Sequence, residues 1–380
     1  MTRHTKLGVE AEFFMKLREG SRVKQKIVTE YFVAYNRVMV RGEGAKVGYA
    51  DLFAGPGLYE NKGGVTQKSI PVLVCEATIQ EELFRQKVHL WFNDGDAENY
   101  QRLKATIDSI PGVGTLRYRP TIGNRIIDST WSAKLSKLPV PTLVFLDPCG
   151  YKGLSLKLVA SALNGFGNDC IFFFNYSRIN MKLDLAIMNR SVDEFFEPER
   201  AKILRSEIKD RSPLAREEII LSAVKSSITE AGAIPFVFGF NSDQGRRSYH
   251  LVYASKNKKA AGMMKSILRS ASSEVTEGVG SGEHDPRAGG EAGSLFKGLY
   301  EVEDRLISRF AGREIRFEVL LEEEAAQTQY TESNYRDAVL RLEEDGRVAV
   351  NPPAKDRRWQ AGGEKRTLPK DVMLRFVSEG

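Results

Sequence analysis

The sequence predicts an α/β protein in which a doubly wound, Rossmann-like sheet with a helical insert is followed by a C-terminal winged helix domain. Apolar segments typical of buried strands alternate with amphipathic helical segments over the first two thirds of the chain. The stretch 270–295 is rich in glycine and has no apolar period, which is typical of a flexible linker. We therefore predict a sheet domain at 1–269, with its insert at about 181–230, and a winged helix domain at 296–380.

Composition limits the classes of function. Of the 380 residues, 42% are apolar and 28% charged, and the net charge of +6 is compatible with a polyanionic partner. No apolar run reaches the roughly 20 residues that cross a membrane. Because the N-terminus also lacks a signal-peptide core, we expect a cytoplasmic protein without a membrane partner. Neither the three cysteines nor the four histidines show metal-ligand spacing, so no metal site is predicted.

The expected sheet contains five strands and an antiparallel pair at one edge. The strands are expected at 47–53, 88–93, 115–119, 142–146, 170–174, 234–240 and 249–254. One or two helices precede them at 10–41. In those helices Lys24 or Lys26 could point towards a ligand or substrate phosphate, or could lie on a solvated helix face.

The segment D-L-F-A-G-P-G at 51–57 forms the turn after the first strand. Gly55 and Gly57 would allow a ligand to approach the backbone. Since Glu60 stands where a third glycine would be and no P-loop lysine follows, the sequence argues against dinucleotides and triphosphates. The carboxylate before the turn suits a ligand with an amine and a positive charge, such as S-adenosylmethionine. The predicted cofactor-binding residues of this turn are Asp51, Phe53, Ala54, Gly55 and Gly57.

Two acidic residues follow the second strand. Asp94 stands where the ribose of a nucleotide is usually held by two hydroxyl hydrogen bonds. Asp96 precedes a helix that begins near Ala97, so it could cap that helix. We assign ribose binding to Asp94 and capping to Asp96, and we keep both among the cofactor-binding candidates.

The fourth strand runs into Asp147-Pro148-Cys149-Gly150-Tyr151. The carboxyl ends of strands one, two and four meet at the edge where doubly wound sheets bind ligands. Asp147 could accept a hydrogen bond or a proton from an amine or hydroxyl acceptor. The catalytic candidates are therefore Asp147, Pro148 and Tyr151.

Together, D-L-F-A-G-P-G, N-D-G-D and F-L-D-P-C-G resemble the motifs of class I S-adenosylmethionine-dependent methyltransferases. More closely, they resemble the three-Cys-motif partner protein (TcmP) family, over roughly residues 20–380 and most strongly at 49–57 and 142–153. The resemblance implies a class I methyltransferase fold, S-adenosylmethionine as cofactor and a C-terminal winged helix. It also implies a possible iron–sulfur partner protein that carries three cysteines, whereas the substrate of the family is poorly defined.

Alternatives stay open at the fourth strand. Amino-methyltransferases end this strand with [DN]-P-P-[YFW], whereas this chain has Cys149 and Gly150 at the last two positions, followed by Tyr151. Cys149, preceded by proline, also resembles the nucleophile of cytosine-C5 methyltransferases, whose thiolate attacks the base. Tyr176 and Arg178, after the fifth strand, could face the substrate or lie in a solvated loop.

The last segment is expected to hold helices at 299–310, 316–326 and 332–344, with Thr331 as the cap of the third. Two strands flank a basic loop, and this pattern is typical of a winged helix that binds nucleic acid. The expected contacts are Lys355, Arg357, Arg358, Lys365 and Arg366. The acidic second helix favours protein docking instead.

The leading hypothesis is methyl transfer from S-adenosylmethionine to an undefined acceptor. The acceptor could be a nucleic acid, or a small molecule or peptide in a pathway with the iron–sulfur partner. The alternative is a catalytically silent methyltransferase-fold module that binds nucleic acid or a protein through its winged helix.

Overall fold

The computed structural model divides the chain into two compact units. The first comprises residues 1–257 with 284–286, and the second comprises 258–283 with 287–380. The units thus divide at 258, whereas the sequence predicts a domain boundary at 270. The described residues are 19–60, 66–148, 153–183, 189–241, 247–273, 275–276, 279–285, 299–325, 328, 330–360 and 366–377.

Helices and strands alternate along the first unit. They are α1 (Glu19–Met39), β1 (Val47–Asp51), β2 (Leu58–Glu60), β3 (Thr66–Lys68), α2 (Ile70–Gln80), α3 (Glu82–Lys87), β4 (Val88–Asn93), α4 (Ala97–Asp108), β5 (Thr121–Gly123), α5 (Trp131–Leu135), β6 (Thr142–Leu146), α6 (Leu156–Ala162), β7 (Asp169–Phe174), α7 (Tyr176–Leu183), α8 (Asn189–Phe196), α9 (Pro198–Glu207), α10 (Pro213–Glu230), β8 (Ile234–Asn241) and β9 (Arg247–Ser255). The chain continues through α11 (Lys258–Ala271), β10 (Val275–Thr276), β11 (Val279–Gly280) and β12 (Glu283–His284).

Eight strands form one sheet in the order β12-β8-β9-β7-β6-β1-β4-β5. The strands β5, β4, β1, β6 and β7 are parallel, and β9 is antiparallel to both β7 and β8. The chain starts at β1, winds outwards to β5, and then crosses back to β6. This reversal makes the sheet doubly wound. The predicted fold class is confirmed: a doubly wound sheet of the class I methyltransferase type with a helical insert, and a winged helix.

The central strands and the helical insert share one hydrophobic core. β1 and β6 are buried along their whole length, as their apolar sequences predict. Phe195 of α8 and Ile220 of α10 belong to the same core as Val144 and Phe172 of the sheet. The insert therefore packs directly on the sheet. Within the described parts of the chain, no helix combines the length and apolarity that a membrane crossing requires.

The third strand and the helix after it differ from the sequence prediction. We predicted a strand at 115–119 and a helix at 126–138, whereas β5 begins only after Pro120 and α5 has five residues. The N–H of Arg117 donates to the carbonyl of Arg85 at 2.9 Å. This segment is thereby tied to α3, and the sheet resumes later in the chain.

A buried polar cluster lies at the amino end of β7. The hydroxyl of Tyr31 donates to Oδ2 of Asp169 at 2.5 Å and lies 2.6 Å from the hydroxyl of Tyr253. Burial raises the pKa of Asp169 to about 6, although hydrogen bonds from Ser255 and the two tyrosines oppose this shift.

Asp169 should make the stability of the chain depend on pH. Because the folded chain binds this proton more tightly than the unfolded chain, the contribution is greatest below pH about 4 and is lost as the pH rises through about 6. The expected loss is on the order of 3 kcal/mol over this whole range, of which about 2 kcal/mol falls between pH 4.5 and 7. Urea unfolding of wild type and Asp169→Asn at pH 4.5 and 7 checks this, since the other carboxyls cancel in the difference. If the free energy of unfolding changed by the same amount between pH 4.5 and 7 in the two proteins, the prediction would be contradicted.

The second unit contains the winged helix. Its elements are α12 (Leu299–Phe310), β13 (Glu314–Arg316), α13 (Phe317–Ala325), α14 (Glu332–Glu344), β14 (Val348–Asn351) and β15 (Met373–Phe376). The three strands form a sheet in the order β13-β15-β14. Thr331 caps α14, as predicted, because its hydroxyl accepts the N–H of Asn334 at 3.3 Å. Of the predicted linker, the described part includes the β10–β11 hairpin, which its composition did not predict.

Candidate active site

The turn after β1 has the conformation that its glycines favour. Gly55 and Gly57 have φ angles of 65° and 86°, in the left-handed region that other residues rarely adopt. Asp51 is only 1% exposed, and its Oδ1 accepts the N–H of Phe53 at 3.0 Å. The buried carboxylate of Asp51 therefore stabilises the turn by this hydrogen bond. Ala54 is also buried, and its N–H donates to the carbonyl of Asn93 at 2.9 Å.

The same glycines allow close packing within the chain. A Cβ on Gly57 would lie 3.1 Å from Thr106 of α4, and a Cβ on Gly55 would lie 2.7 Å from the hydroxyl of Tyr59. Tight packing is thus sufficient to require both glycines. A role in approaching a ligand stays a prediction.

Asp94 connects the second strand to this turn. Its Oδ2 accepts the N–H of Gly55 at 2.8 Å, and its Oδ1 accepts the N–H of Asp96 at 2.9 Å. Nδ2 of Asn99 also lies 3.4 Å from Oδ1, a distance too long for a strong hydrogen bond. Since each carboxylate oxygen has two lone pairs, Asp94 keeps acceptor capacity for ribose hydroxyls. Asp96 caps α4, as predicted, by accepting the N–H groups of Glu98 and Asn99 at 2.9 Å.

The carboxylate after β6 is paired with a lysine from α1. Nζ of Lys24 donates to Oδ2 of Asp147 at 2.5 Å and lies 4.8 Å from the ring centroid of Phe173. The side chains are 14% and 21% exposed, so the pair is accessible without being fully solvated. Of the two lysines that we considered, Lys24 thus reaches the strand ends, whereas Lys26 lies 4.0 Å from Glu30.

The three predicted carboxylates lie at one edge of the sheet, because β1, which ends at Asp51, pairs in parallel with both β4 and β6. Burial holds the pKa of Asp51 well above its usual range, and the carboxylates of Asp147 and Asp94 raise it further. The N–H of Phe53 and the ammonium group of Lys24 act in the opposite direction. These groups are therefore close enough at the carboxyl edge of the sheet to influence one another.

Two further residues lie at this edge that the sequence motifs did not indicate. Nδ2 of Asn93 donates to the carbonyls of Leu52 and Arg125 at 3.1 and 2.9 Å, so its buried amide holds three strand ends together. Ile126 is 71% exposed, and its Cγ1 would lie 3.7 Å from a Cβ on Gly95. A polar residue ending an apolar strand was the only available signal for Asn93. Nothing in the sequence distinguished Ile126.

The remaining candidates lie next to Asp147, in the core, or outside the described residues. Pro148 is buried beside Asp147, while Cys149, Gly150 and Tyr151 lie outside the described residues. Tyr176 is 6% exposed, and its ring lies 5.9 Å from that of His250. Tyr176 thus belongs to the core and not to a solvated loop. It is the first residue of α7.

The basic loop of the winged helix is only partly available for a partner. Arg357 is 4% exposed and forms an ion pair with Glu343, so its predicted contact with nucleic acid is wrong. Lys355 and Arg358 are exposed, and Arg366 is partly exposed. Lys365 lies outside the described residues.

A groove of about 750 Å³ between α9 and α10 does not coincide with the carboxylate cluster. Its walls include Ile203, Ile219 and Ser226, and no candidate residue of the carboxyl edge lines it.

The winged helix matches a known family. A family model described as a GMT-like wHTH domain matches residues 299–355. This match covers a small part of the chain and identifies that domain only. Among curated proteins, none matches the sequence.

Several solved structures resemble the chain. A Legionella pneumophila protein is 10% identical with a TM-score of 0.36, over 62% of this chain and 84% of its own. The methyltransferase domain of bacterial CtHen1 is 14% identical with a TM-score of 0.32, over 62% of this chain and 100% of its own. Magnesium protoporphyrin IX methyltransferase from Synechocystis, with bound SAH, is 12% identical with a TM-score of 0.32, over 63% of this chain and 88% of its own. The fold assignment rests on the strand order, not on these values.

Proposed function

We propose that this chain is an S-adenosylmethionine-dependent methyltransferase whose active site lies at the carboxyl ends of β1, β4 and β6. The observation that carries the proposal is that the paired strands β1, β4 and β6 bring Asp51, Asp94 and the Lys24–Asp147 pair to one edge of the sheet. The cofactor would supply a sulfonium methyl group, and the protein would position the acceptor in line with it.

Three groups would hold the cofactor. Asp94 would accept hydrogen bonds from the ribose hydroxyls while keeping its bond to Gly55. The exposed side chain of Ile126 would cover one face of the adenine ring. The turn from Asp51 to Gly57 would lie along the methionine part of the cofactor. Because Asp51 is almost fully buried, its role would be to hold the backbone of this turn through the N–H of Phe53.

The Lys24–Asp147 pair supports a hydroxyl group as the acceptor. The ammonium group of Lys24 can donate to a hydroxyl oxygen, and Asp147 can accept the hydroxyl proton. As the methyl group moves, the proton would pass to Asp147, and Lys24 would stabilise the negative charge that develops on oxygen. An amine acceptor needs its lone pair for the methyl group and develops no negative charge, so the ammonium donor of Lys24 would not assist it.

The first test is direct binding. Isothermal titration of the full chain with S-adenosylmethionine should give a Kd below about 1 mM. Weaker binding would contradict the proposal and would favour the silent-module alternative, in which only the winged helix acts.

The second test separates chemistry from binding. With methyl-labelled S-adenosylmethionine and total RNA as the acceptor, Asp147→Asn and Lys24→Met should each transfer methyl at least about 100-fold more slowly. Cofactor affinity should stay near that of wild type. Lys26→Met is the matched control, since it removes the same charge two residues away on α1. If Asp147→Asn transferred methyl at the wild-type rate, the assignment of proton transfer to Asp147 would fail.

The winged helix would bring a nucleic acid to this enzyme. Its fold and the exposed basic side chains of its loop, Lys355 and Arg358, support this function. The iron–sulfur partner that the family resemblance implies would be an additional protein component. Co-purification with a protein that carries three cysteines would test it.

A further inference from the structure

The helix that would enter a DNA groove is poorly suited to that task. In a helix-turn-helix the recognition helix, here α14, contacts base edges. It carries four acidic and two basic side chains. Arg336 donates to Glu332 at 2.7 Å, and Arg341 lies 3.6 Å from Glu303. Both arginines are thus partly neutralised by carboxylates, and the helix as a whole would be repelled by phosphates.

The positive charge of this domain lies after α14 instead. The described residues 347–360 and 366–377 carry seven basic and two acidic side chains. Among these groups, Arg357 pairs with Glu343 and Lys370 pairs with Glu332. Lys355 and Arg358 are exposed. The loop between β14 and β15, the wing, therefore presents the charge that suits a polyanion.

An ordered aromatic surface lies within this charge. Trp359 is 55% exposed, and the guanidinium of Arg366 lies 3.9 Å from its ring centroid. Nη1 of Arg366 donates to the carbonyl of Arg357 at 2.9 Å, and the two residues Trp359 and Arg366 form a β-bridge. One ring face is thus covered by a fixed cation, and the indole still has more than half of its surface in solvent.

We propose that the wing binds single-stranded nucleic acid by stacking an unpaired base on Trp359. Arg366 holds the indole in place, while Lys355 and Arg358 contact the adjacent phosphates. Every base has an aromatic face, so stacking suits single strands of any sequence. In a duplex the bases are already stacked on each other, and α14 offers little to read their edges. The inference rests on the nucleic-acid function proposed for the winged helix and extends it to the class of strand.

The test compares single strands with a duplex. Fluorescein-labelled 12-mers of one mixed sequence, as RNA and as DNA, and the DNA duplex of that sequence are titrated with the full chain. Wild type should bind the single strands more tightly than the duplex, with quenching of tryptophan emission that is absent in Trp359→Ala. Trp359→Ala should weaken single-strand binding about tenfold, whereas Trp359→Phe should retain most of the affinity. The RNA and DNA arms show which strand is preferred.

The matched control is Tyr300→Ala, which removes an aromatic side chain that is 59% exposed on α12 of the same domain. It should leave all affinities unchanged. If Trp359→Ala bound every strand as wild type does, or lost single strand and duplex affinity equally, the stacking site would be excluded. Absence of binding by wild type would indicate a protein-docking wing. Titration with S-adenosylmethionine distinguishes these failures from failure of the methyltransferase proposal, because Trp359→Ala should bind the cofactor normally.

Discussion

Replacing Asp94 by alanine should weaken the binding of S-adenosylmethionine at least about 100-fold, because two hydrogen bonds from ribose hydroxyls to a carboxylate contribute about 1.5–3 kcal/mol each. The substitution also frees the N–H of Gly55, which Asp94 holds at 2.8 Å. Both effects act on the same ligand site. Isothermal titration of the full chain measures the change.

Two further variants sharpen this experiment. Asp94→Asn keeps an acceptor for Gly55 but removes the charge, so its affinity should lie between those of wild type and Asp94→Ala. Asp108→Ala removes the same charge from the exposed last residue of α4 and should bind as wild type does. If Asp94→Ala bound the cofactor with wild-type affinity, the ribose assignment would be wrong.

The Glu324→Gln variant should destabilise the winged helix by about 3 kcal/mol, the low end of the cost of removing one partner from a buried ion pair, because the two arginine partners are 34% and 32% exposed. Glu324 has no exposed side-chain surface. Its carboxylate lies 2.6 Å from Nε of Arg305 and 3.0 Å from Nε of Arg309, and it accepts from the hydroxyl of Tyr335 at 3.1 Å. Without the negative charge, two guanidinium groups would remain against a neutral amide.

Its neighbour Glu323 provides the matched control. Glu323 is 33% exposed and lies 3.2 Å from Arg313, so Glu323→Gln should cost less than about 1 kcal/mol. Thermal unfolding of the full chain, followed by circular dichroism, compares the two variants. Similar melting profiles for Glu323→Gln and Glu324→Gln would show that the buried network contributes little.

Glu323 and Glu324 are adjacent residues of the same type that differ in burial, which the sequence did not indicate. In the sequence, Glu318, Glu322, Glu323 and Glu324 are the acidic residues of the second helix, whose charge favours protein docking. In the structure Glu324 points into the domain and joins α12, α13 and α14. Adjacent charges on a helix point in different directions, and only the packing of neighbouring helices decides which of them is buried.

Most of the fold was predictable because its signals are local. The boundaries of β4, β6, α12 and α14 agree with the predicted ones, since apolar period and capping residues lie within each segment. The third strand was misplaced because its pairing depends on β4 and on the turn at Arg117, which no local pattern encodes. The alternation of strands and helices predicted a doubly wound, largely parallel sheet, whereas the order of its strands is seen only in the structure.

The candidate site was predictable to the same extent. The sequence by itself determined the positions of Asp51, Asp94 and Asp147, because residues at the ends of parallel strands must share one edge of the sheet. Only the tertiary structure decided that Asp51 is buried, that Asp94 holds Gly55, and that Lys24 pairs with Asp147 from 123 residues away. The physical reason is that burial and pairing depend on groups brought together from distant parts of the chain, and these contacts exist only after the sheet and its helices have packed.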